Sequence, residues 1–459
     1  MSIDYQHPEY AKQKYFWDIV SDVMSDDERR LHKYLRTINP QDDSEANKRL
    51  NDAYKLAAAW YGYTSQTVAA MLGSVYRKWP SLDLPDAMDY LANNADGSGM
   101  SIYQLSQGSV NDTLTRGRGG VYVTFPQTQG QVSRADMQSG KYVATVHRIE
   151  PEQIINWRVG QFGSQAKLTL VVFVETFEKD AEFLVDTYKR YRELRLVNGV
   201  YFERTWTDVG GSLTIKSEHF PTDATGATWD HIPFTFLGSE TNDESVDKIP
   251  IFPLAKMNLK HYQNSADNEE STFFGVQNQP FINTTEINAD TFKEMKELGV
   301  YFGNRELLPF PVGIAASAEN LQVAKEMERK VLAMEALGAR LSTANQAAKT
   351  AAQVHGEREG QTSVLAMIAS NVSEAYTQAI RWACRYMGVD DSEVSFTLNQ
   401  DFVNMGMDAQ LLQVIFQGWQ MGNVPTADYV RIMKRMEIFD DDKPIEEYAE
   451  ELTARAMIE

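Results

Sequence analysis

One cysteine in 459 residues is too few for any intrachain disulfide. Cys384 lies in the run Ile380-Arg381-Trp382-Ala383-Cys384, so it reads as a buried structural thiol in a reducing compartment. No run of about 18 apolar residues exists, so no helix is expected to cross a membrane. The opening stretch MSIDYQHPEYAKQKYFW lacks the apolar core and small-residue cleavage site of a secretory signal. Positive charge is also short: 44 Lys and Arg face 64 Asp and Glu, a net charge of -20. Such a surface cannot grip nucleic acid by neutralising phosphates, which takes clustered Lys and Arg.

Catalytic signatures are missing too. There is no GxxxxGK[ST], which excludes an ATP motor of the P-loop type. Gly117-Arg118-Gly119-Gly120 precedes a strand, whereas a phosphate-binding loop follows one and opens a helix. We read it as a turn. The seven histidines, His7, His32, His147, His219, His231, His261 and His355, are scattered and form no HExxH or other ligand spacing. No GxSxG elbow occurs. Asp390-Asp391 and Asp440-Asp441-Asp442 fall at helix boundaries, where adjacent acids favour the next helix N-terminus. No loop has calcium-ligand spacing. The expectation is a protein without catalytic residues, metal or cofactor.

What is present is an ordinary globular balance, 43% hydrophobic and 24% charged, over a length that suits two to four domains. Residues 8 to 37 read as helices, with Tyr15, Phe16, Ile19, Val20 and Val23 on one face. Glu45 to Arg77 reads as one longer helix with a kink at Gly62. Ala87 to Leu91 and Met100 to Leu114 read as further helices, and Val121 to Phe125 as a strand. Strand patterns follow at Val143 to His147, Leu168 to Phe177, Tyr188 to Val197, Val200 to Trp206, Leu213 to Lys216 and Phe234 to Phe236. Asn198-Gly199 marks a hairpin, because both residues tolerate positive φ. The fold class is α+β, with a mostly antiparallel β segment.

Leu254 to Glu270 is then helical, and two long helical segments lie between Ala318 and Gly388. In the first, Ala324, Met327, Val331, Met334, Gly338 and Leu341 alternate spacings of three and four, a seam for helix-against-helix packing. Glu326 and Lys330 form an i,i+4 pair expected on its outer side. A helix pair inside one subunit would show the same seam as an assembly. The polar, alanine-rich connection STANQAAKTAAQVHGEREGQ has almost nothing to bury. Ala409 to Met421, Thr426 to Met436 and Ile445 to Arg455 complete the chain as helices. From Val389 onward there are 15 Asp and Glu against 5 Lys and Arg, a net of -10. Half the excess negative charge sits there.

Six segments in order resemble the portal proteins of tailed bacteriophages, the head-to-tail connectors. They are VHRIEPEQIINWR (146–158), IPFTFLGSE (232–240), PLAKMNLKHYQNSADNEESTFFGVQNQPFI (253–282), MEALGARL (334–341), TSVLAMIASNVSEAYTQAIRWACRYMG (362–388) and FQGWQMGNVPTADYVRIMKRMEIF (416–439). The resemblance implies a portal fold: an α/β wing over 1–248, a stem helix over 249–271 and a small α/β clip over 272–317. A second stem helix over 318–341, a tunnel loop over 342–360, a long wing–crown helix over 361–388 and a helical crown over 389–459 would follow.

It further implies a homo-oligomeric ring, usually a 12-mer, at one capsid vertex of the virion, assembled in the host cytoplasm. Double-stranded DNA would pass through its channel without sequence specificity during packaging and ejection. The tunnel loop would present Asn345, Gln346, Lys349, Gln353, His355 and Arg358 to that DNA. The clip would dock the terminase large subunit and then a neck or tail adaptor. Its polar candidates are Asn278, Gln279, Glu286, Asp290, Lys293, Glu294, Lys296, Glu297, Asn304 and Arg305. Major capsid and scaffolding proteins would be further partners, and no membrane is involved. The alternative is a head or neck structural protein without a DNA channel.

Overall fold

The computed structural model describes residues 2–127, 142–179, 186–209, 212–276, 321–342, 363–400, 409–435, 438–439 and 443–456. The chain divides into two compact units, Met1–Gln400 and Asp401–Glu459. The first mixes helices and sheets, so the fold class is α+β.

Unit 1 opens with α1 (Pro8–Met24), α2 (Glu28–Leu31), α3 (Glu45–Ala57) and α4 (Tyr63–Val75). Pro8 sits where helix N–H groups have no partner anyway, and the His7 ring accepts the Glu9 N–H at 3.2 Å. The buried face of α1 is Tyr10, Trp17, Val20 and Val23, rotated from the expected one. Tyr15 is 66% exposed, because the Trp17 indole instead anchors the helix, donating to the Arg116 carbonyl at 2.9 Å.

The expected long helix from Glu45 to Arg77 is two helices. Ala58 is extended, the Ala59 N–H goes to the Ser265 hydroxyl at 3.1 Å, and α4 restarts after Gly62. Partners far along the chain make the break, which local pattern does not reveal.

After β1 (Ser81–Asp83), α5 (Ile102–Arg116) begins with a reciprocal Ser101–Gln104 capping box. It ends at Gly117, whose φ of +70° and close approach to the Lys248 carbonyl, 2.7 Å from where a Cβ would lie, both require glycine. The expected four-residue turn reduces to Gly117 alone. Residues 118–120 already belong to β2 (Arg118–Thr124), because two neighbouring strands pair with it.

The strands that follow are β3 (Thr145–Ile149), β4 (Ile154–Phe162), β5 (Gln165–Lys179), β6 (Asp186–Val197), β7 (Val200–Val209), β8 (Ser212–His219) and β9 (Phe234–Gly238). They form a three-stranded sheet in the order β3-β2-β9 and a five-stranded meander from β4 to β8, antiparallel throughout. Asn198 and Gly199 turn the β6–β7 hairpin at φ 52° and 80°, as the sequence predicts.

A polar cluster lies buried between the sheets. Glu203 accepts from the hydroxyls of Tyr122 at 2.7 Å and Tyr201 at 3.2 Å, and Arg192 bridges it to Glu175. Burying a carboxylate is tolerable here because every neighbour donates to it.

Next come α6 (Phe252–Val276), α7 (Leu321–Ser342), α8 (Val364–Met387) and β10 (Ser395–Thr397), which pairs with β1. Helix α8 is the core helix of the unit. Leu365, Ile368, Val372, Tyr376 and Ile380 are fully buried, each large aliphatic contributing about 1.5–3 kcal/mol. Ser363 caps its start and Gly388, at φ 66°, its end. Cys384 is buried on this face, and burial pushes its thiol up to about 11, as a structural thiol requires.

Unit 2 contains α9 (Ala409–Gln420), α10 (Thr426–Arg435) and α11 (Ile445–Ala456). Trp419 stacks on Tyr429 at 4.7 Å, and Phe439 stacks on Tyr448 at 4.8 Å.

Candidate functional site

The element that carries the expected functional loops is the pair α6 and α7. Helix α6 ends at Val276 and α7 begins at Leu321, so they flank residues 277–320. All ten clip candidates, from Asn278 to Arg305, lie outside the described residues. So do Asn345, Gln346, Lys349, Gln353, His355 and Arg358, which fall between α7 and α8, and Asp440, Asp441 and Asp442.

Helix α6 is bound tightly to the N-terminal helices and the segments that join them. Its buried face is Leu254, Ala255, Asn258, Leu259, His261, Tyr262, Ser265 and Ala266. Asn258 accepts from the Thr64 N–H at 3.1 Å and the Thr64 hydroxyl at 3.0 Å, and donates to the Tyr61 carbonyl at 2.9 Å. Gly62, the N-cap of α4, has no side chain to cap with, so α6 supplies that cap from outside. Further along, Arg36 pairs with Asp267 at 2.9 Å and Glu270 at 3.0 Å, and Tyr54 donates to Asp267 at 2.7 Å.

Helix α7 is covered far less. Among its described side chains only Lys330 and Met334 are buried, and Leu332 is 66% exposed. The six seam residues are buried or half-buried, so the seam does face inward. Lys330 does not lie on the outer side as expected. It is 9% exposed and donates to the Lys260 carbonyl of α6 at 3.3 Å. Glu326 remains 3.8 Å away but bonds Arg329 at 2.6 Å and 2.8 Å instead. A buried ammonium still needs an acceptor, and the α6 carbonyl is the nearest one. Burial holds the Lys330 pKa below its ordinary value.

Two anchor points give the sense of the pair. Lys330 meets α6 at Lys260. Gly338, eight residues later, lies against Thr67 of α4, one turn after Thr64 bonds Asn258. The Ala59–Ser265 and Thr64–Asn258 bonds show the chain entering α4 running backward along α6, and Thr67 lies one turn further that way, so moving forward along α7 moves backward along α6 and the helices are antiparallel.

Among the described residues, His7, His147 and His261 make local contacts. His7 stacks on Trp157 at 4.0 Å, and burial holds His147 and His261 below their ordinary pKa. Asp390 accepts from Ser392 at the end of α8, a boundary role. No group of three or more His, Cys, Asp or Glu with metal-site geometry occurs among the described residues. No helix among them is long and apolar enough to cross a membrane.

Two features were not legible in the sequence. One is a cleft of about 840 Å³ between the N-terminal segment and the five-stranded sheet, with Tyr5, Trp157, Arg195, Arg204 and Trp206 in its walls. The other is Arg118, buried between the rings of Trp157 and Phe236 at 4.0 Å and 4.1 Å. Its guanidinium donates to the carbonyls of Glu244 at 3.0 Å and Ser245 at 3.2 Å, and burial lowers its pKa to about 9. Both depend on strands far apart in sequence, and a glycine-flanked arginine gives no warning of either.

Residues 250–387 match a family described as a domain of unknown function, DUF4055. No curated protein matches the chain. Among solved structures, one described as the neck of an empty GTA particle computed with C6 symmetry is 13% identical. It covers 79% of this chain and 85% of that chain, with a TM-score of 0.34. Another, the neck of a native GTA particle computed with C12 symmetry, is 12% identical and covers 77% and 85%, also with a TM-score of 0.34.

Proposed function

We propose that this chain is a portal-type ring subunit, a non-enzymatic conduit for double-stranded DNA at one vertex of a phage-like capsid. The observation that carries the reading is α7. It is a 22-residue helix with two buried side chains among those described and an exposed leucine at mid-length. Most helix stability in proteins comes from packing an apolar face, so a helix this bare calls for neighbours. A ring supplies them, because one face of each subunit meets a different face of the next.

The ordered sequence resemblance gives the ring its purpose. Helices α6 and α7 correspond to the two stem segments, and α8 to the long helix that closes the set. The matched span 250–387 begins at α6 and ends at the last residue of α8, so the proposed stem, clip and tunnel loop form one sequence unit. The net charge of -20 suits a channel through which DNA must slide. Each strong cation–phosphate contact would add affinity and slow movement.

In this reading residues 272–317 dock the terminase large subunit and then an adaptor, and residues 342–360 meet the DNA through Lys349. The test is packaging by Lys349→Ala particles. Rings should assemble normally while DNA packaging or retention changes. Failure of Lys349→Ala rings to assemble would remove that role from Lys349.

A further inference from the structure

We propose that the exposed stripe of α7 receives the exposed stripe of α6 from a second copy of this chain, with Glu335 opposite Lys256 and Glu328 opposite Lys260 around Leu332. The inference rests on the ring reading above and names the residues that would hold neighbouring subunits in register.

The unpaired charges point there. On α7, Lys325, Glu328, Leu332, Glu335 and Ala339 are all exposed at spacings of three and four. Glu328 and Glu335 make no ion pair among the described residues, whereas Arg329 on the adjoining face is held by Glu326. On α6, Pro253, Lys256 and Lys260 form an exposed stripe of the same spacing. Lys256 has no partner among the described residues, and Lys260 reaches only the neutral Gln263 at 2.8 Å. One helix thus presents two unanswered carboxylates, the other two ammonium groups without a carboxylate.

The register follows from helix geometry. The hydrogen bond from Lys330 to the Lys260 carbonyl serves as the common reference level of the two helices. At about 1.5 Å per residue, Glu335 lies about 7.5 Å from that level, and Lys256 about 6 Å in the same direction, because the helices are antiparallel. Glu328 lies about 3 Å the other way, within side-chain reach of a lysine at the reference level. Leu332 falls between the two acids. In a ring whose axis runs along the helix pair these heights are preserved, and each acid meets a lysine of the next copy. A groove of about 400 Å³, with Gln66, Ala70, Glu335, Gly338 and Ala339 in its walls, gives that neighbouring helix room beside α4.

Paired charge reversal tests the register. Full-length protein carrying Lys256→Glu, Glu335→Lys or both is compared by native mass spectrometry at one micromolar concentration, with circular dichroism confirming the fold. All the altered side chains are exposed, so folding should survive. Each single reversal places like charges together and should lower the ring fraction at least about tenfold, more at low salt than at high. The double reversal should restore it to within about twofold of wild type. Single variants that assemble as wild type, or a double variant no better than the singles, overturn the proposed register while leaving the ring intact. Wild-type protein that stays monomeric overturns both the register and the ring reading.

Discussion

Asn258 is one of the side chains through which α6 holds the N-terminal helices, and its removal has a size that the structure sets. Asn258→Ala deletes three hydrogen bonds, two accepted from the N–H and hydroxyl of Thr64 and one donated to the Tyr61 carbonyl. Asn258 and Thr64 are both 0% exposed, so water cannot replace the lost partner. At about 1–1.5 kcal/mol per bond, with buried groups left unsatisfied, the loss should be about 3–5 kcal/mol. The start of α4 also loses its cap. Urea unfolding followed by far-ultraviolet circular dichroism measures this directly, and the midpoint should fall without a change in slope. Thr64→Val supplies the second arm of a double-mutant cycle. It removes the hydroxyl contact but leaves the N–H contact, so the coupling should be about 1 kcal/mol. A loss under about 1 kcal/mol for Asn258→Ala would refute the cap assigned to α6.

Other outcomes follow from buried groups. Asp112 is pushed up to about 7 by burial, against the pull of Arg148 at 2.9 Å. Its folded pKa lies above its unfolded value, so protonation favours the fold, and that advantage disappears as pH rises toward 7. Asp112→Asn should therefore gain on wild type by about 1–3 kcal/mol between pH 5 and pH 8, and parallel stability curves would contradict this. Lys330→Met removes a buried ammonium that donates to a carbonyl and lies 3.8 Å from Glu326, and unfolding midpoints should place its stability within about 1 kcal/mol of wild type. Cys384 should resist thiol reagents in the native protein and react completely in denaturant, read by absorbance. Gly117→Ala combines positive φ with a carbonyl contact and should cost at least about 2 kcal/mol in a urea titration.

The sequence announced the elements whose causes are local. The β6–β7 hairpin was legible because Asn198-Gly199 is sufficient for the turn. The helices at the positions of α5, α6, α8, α9, α10 and α11 were legible from apolar periodicity. Where distant partners decide, the sequence misled. The helix expected across residues 45–77 breaks because Ser265 and Asn258, some two hundred residues away, take its backbone groups. Lys330 faces inward because a carbonyl on another helix accepts from it. Trp17 rather than Tyr15 is buried because Arg116 lies beneath it. β4 escaped notice because Asn156, Trp157 and Arg158 break the simple alternation, and the ladder there is irregular on both sides of them. For the candidate site, both flanking helices were legible, though α6 runs to Val276, past the expected end at Glu270, and the exposed stripe on α7 became visible only once the buried side was known.

Electron microscopy of the purified full-length chain tests the central claim most directly. The account predicts closed rings of about a dozen 52.0 kDa subunits around a central hole, near 0.6 MDa in all. Monomers, open filaments or sheets at the same concentration would contradict it.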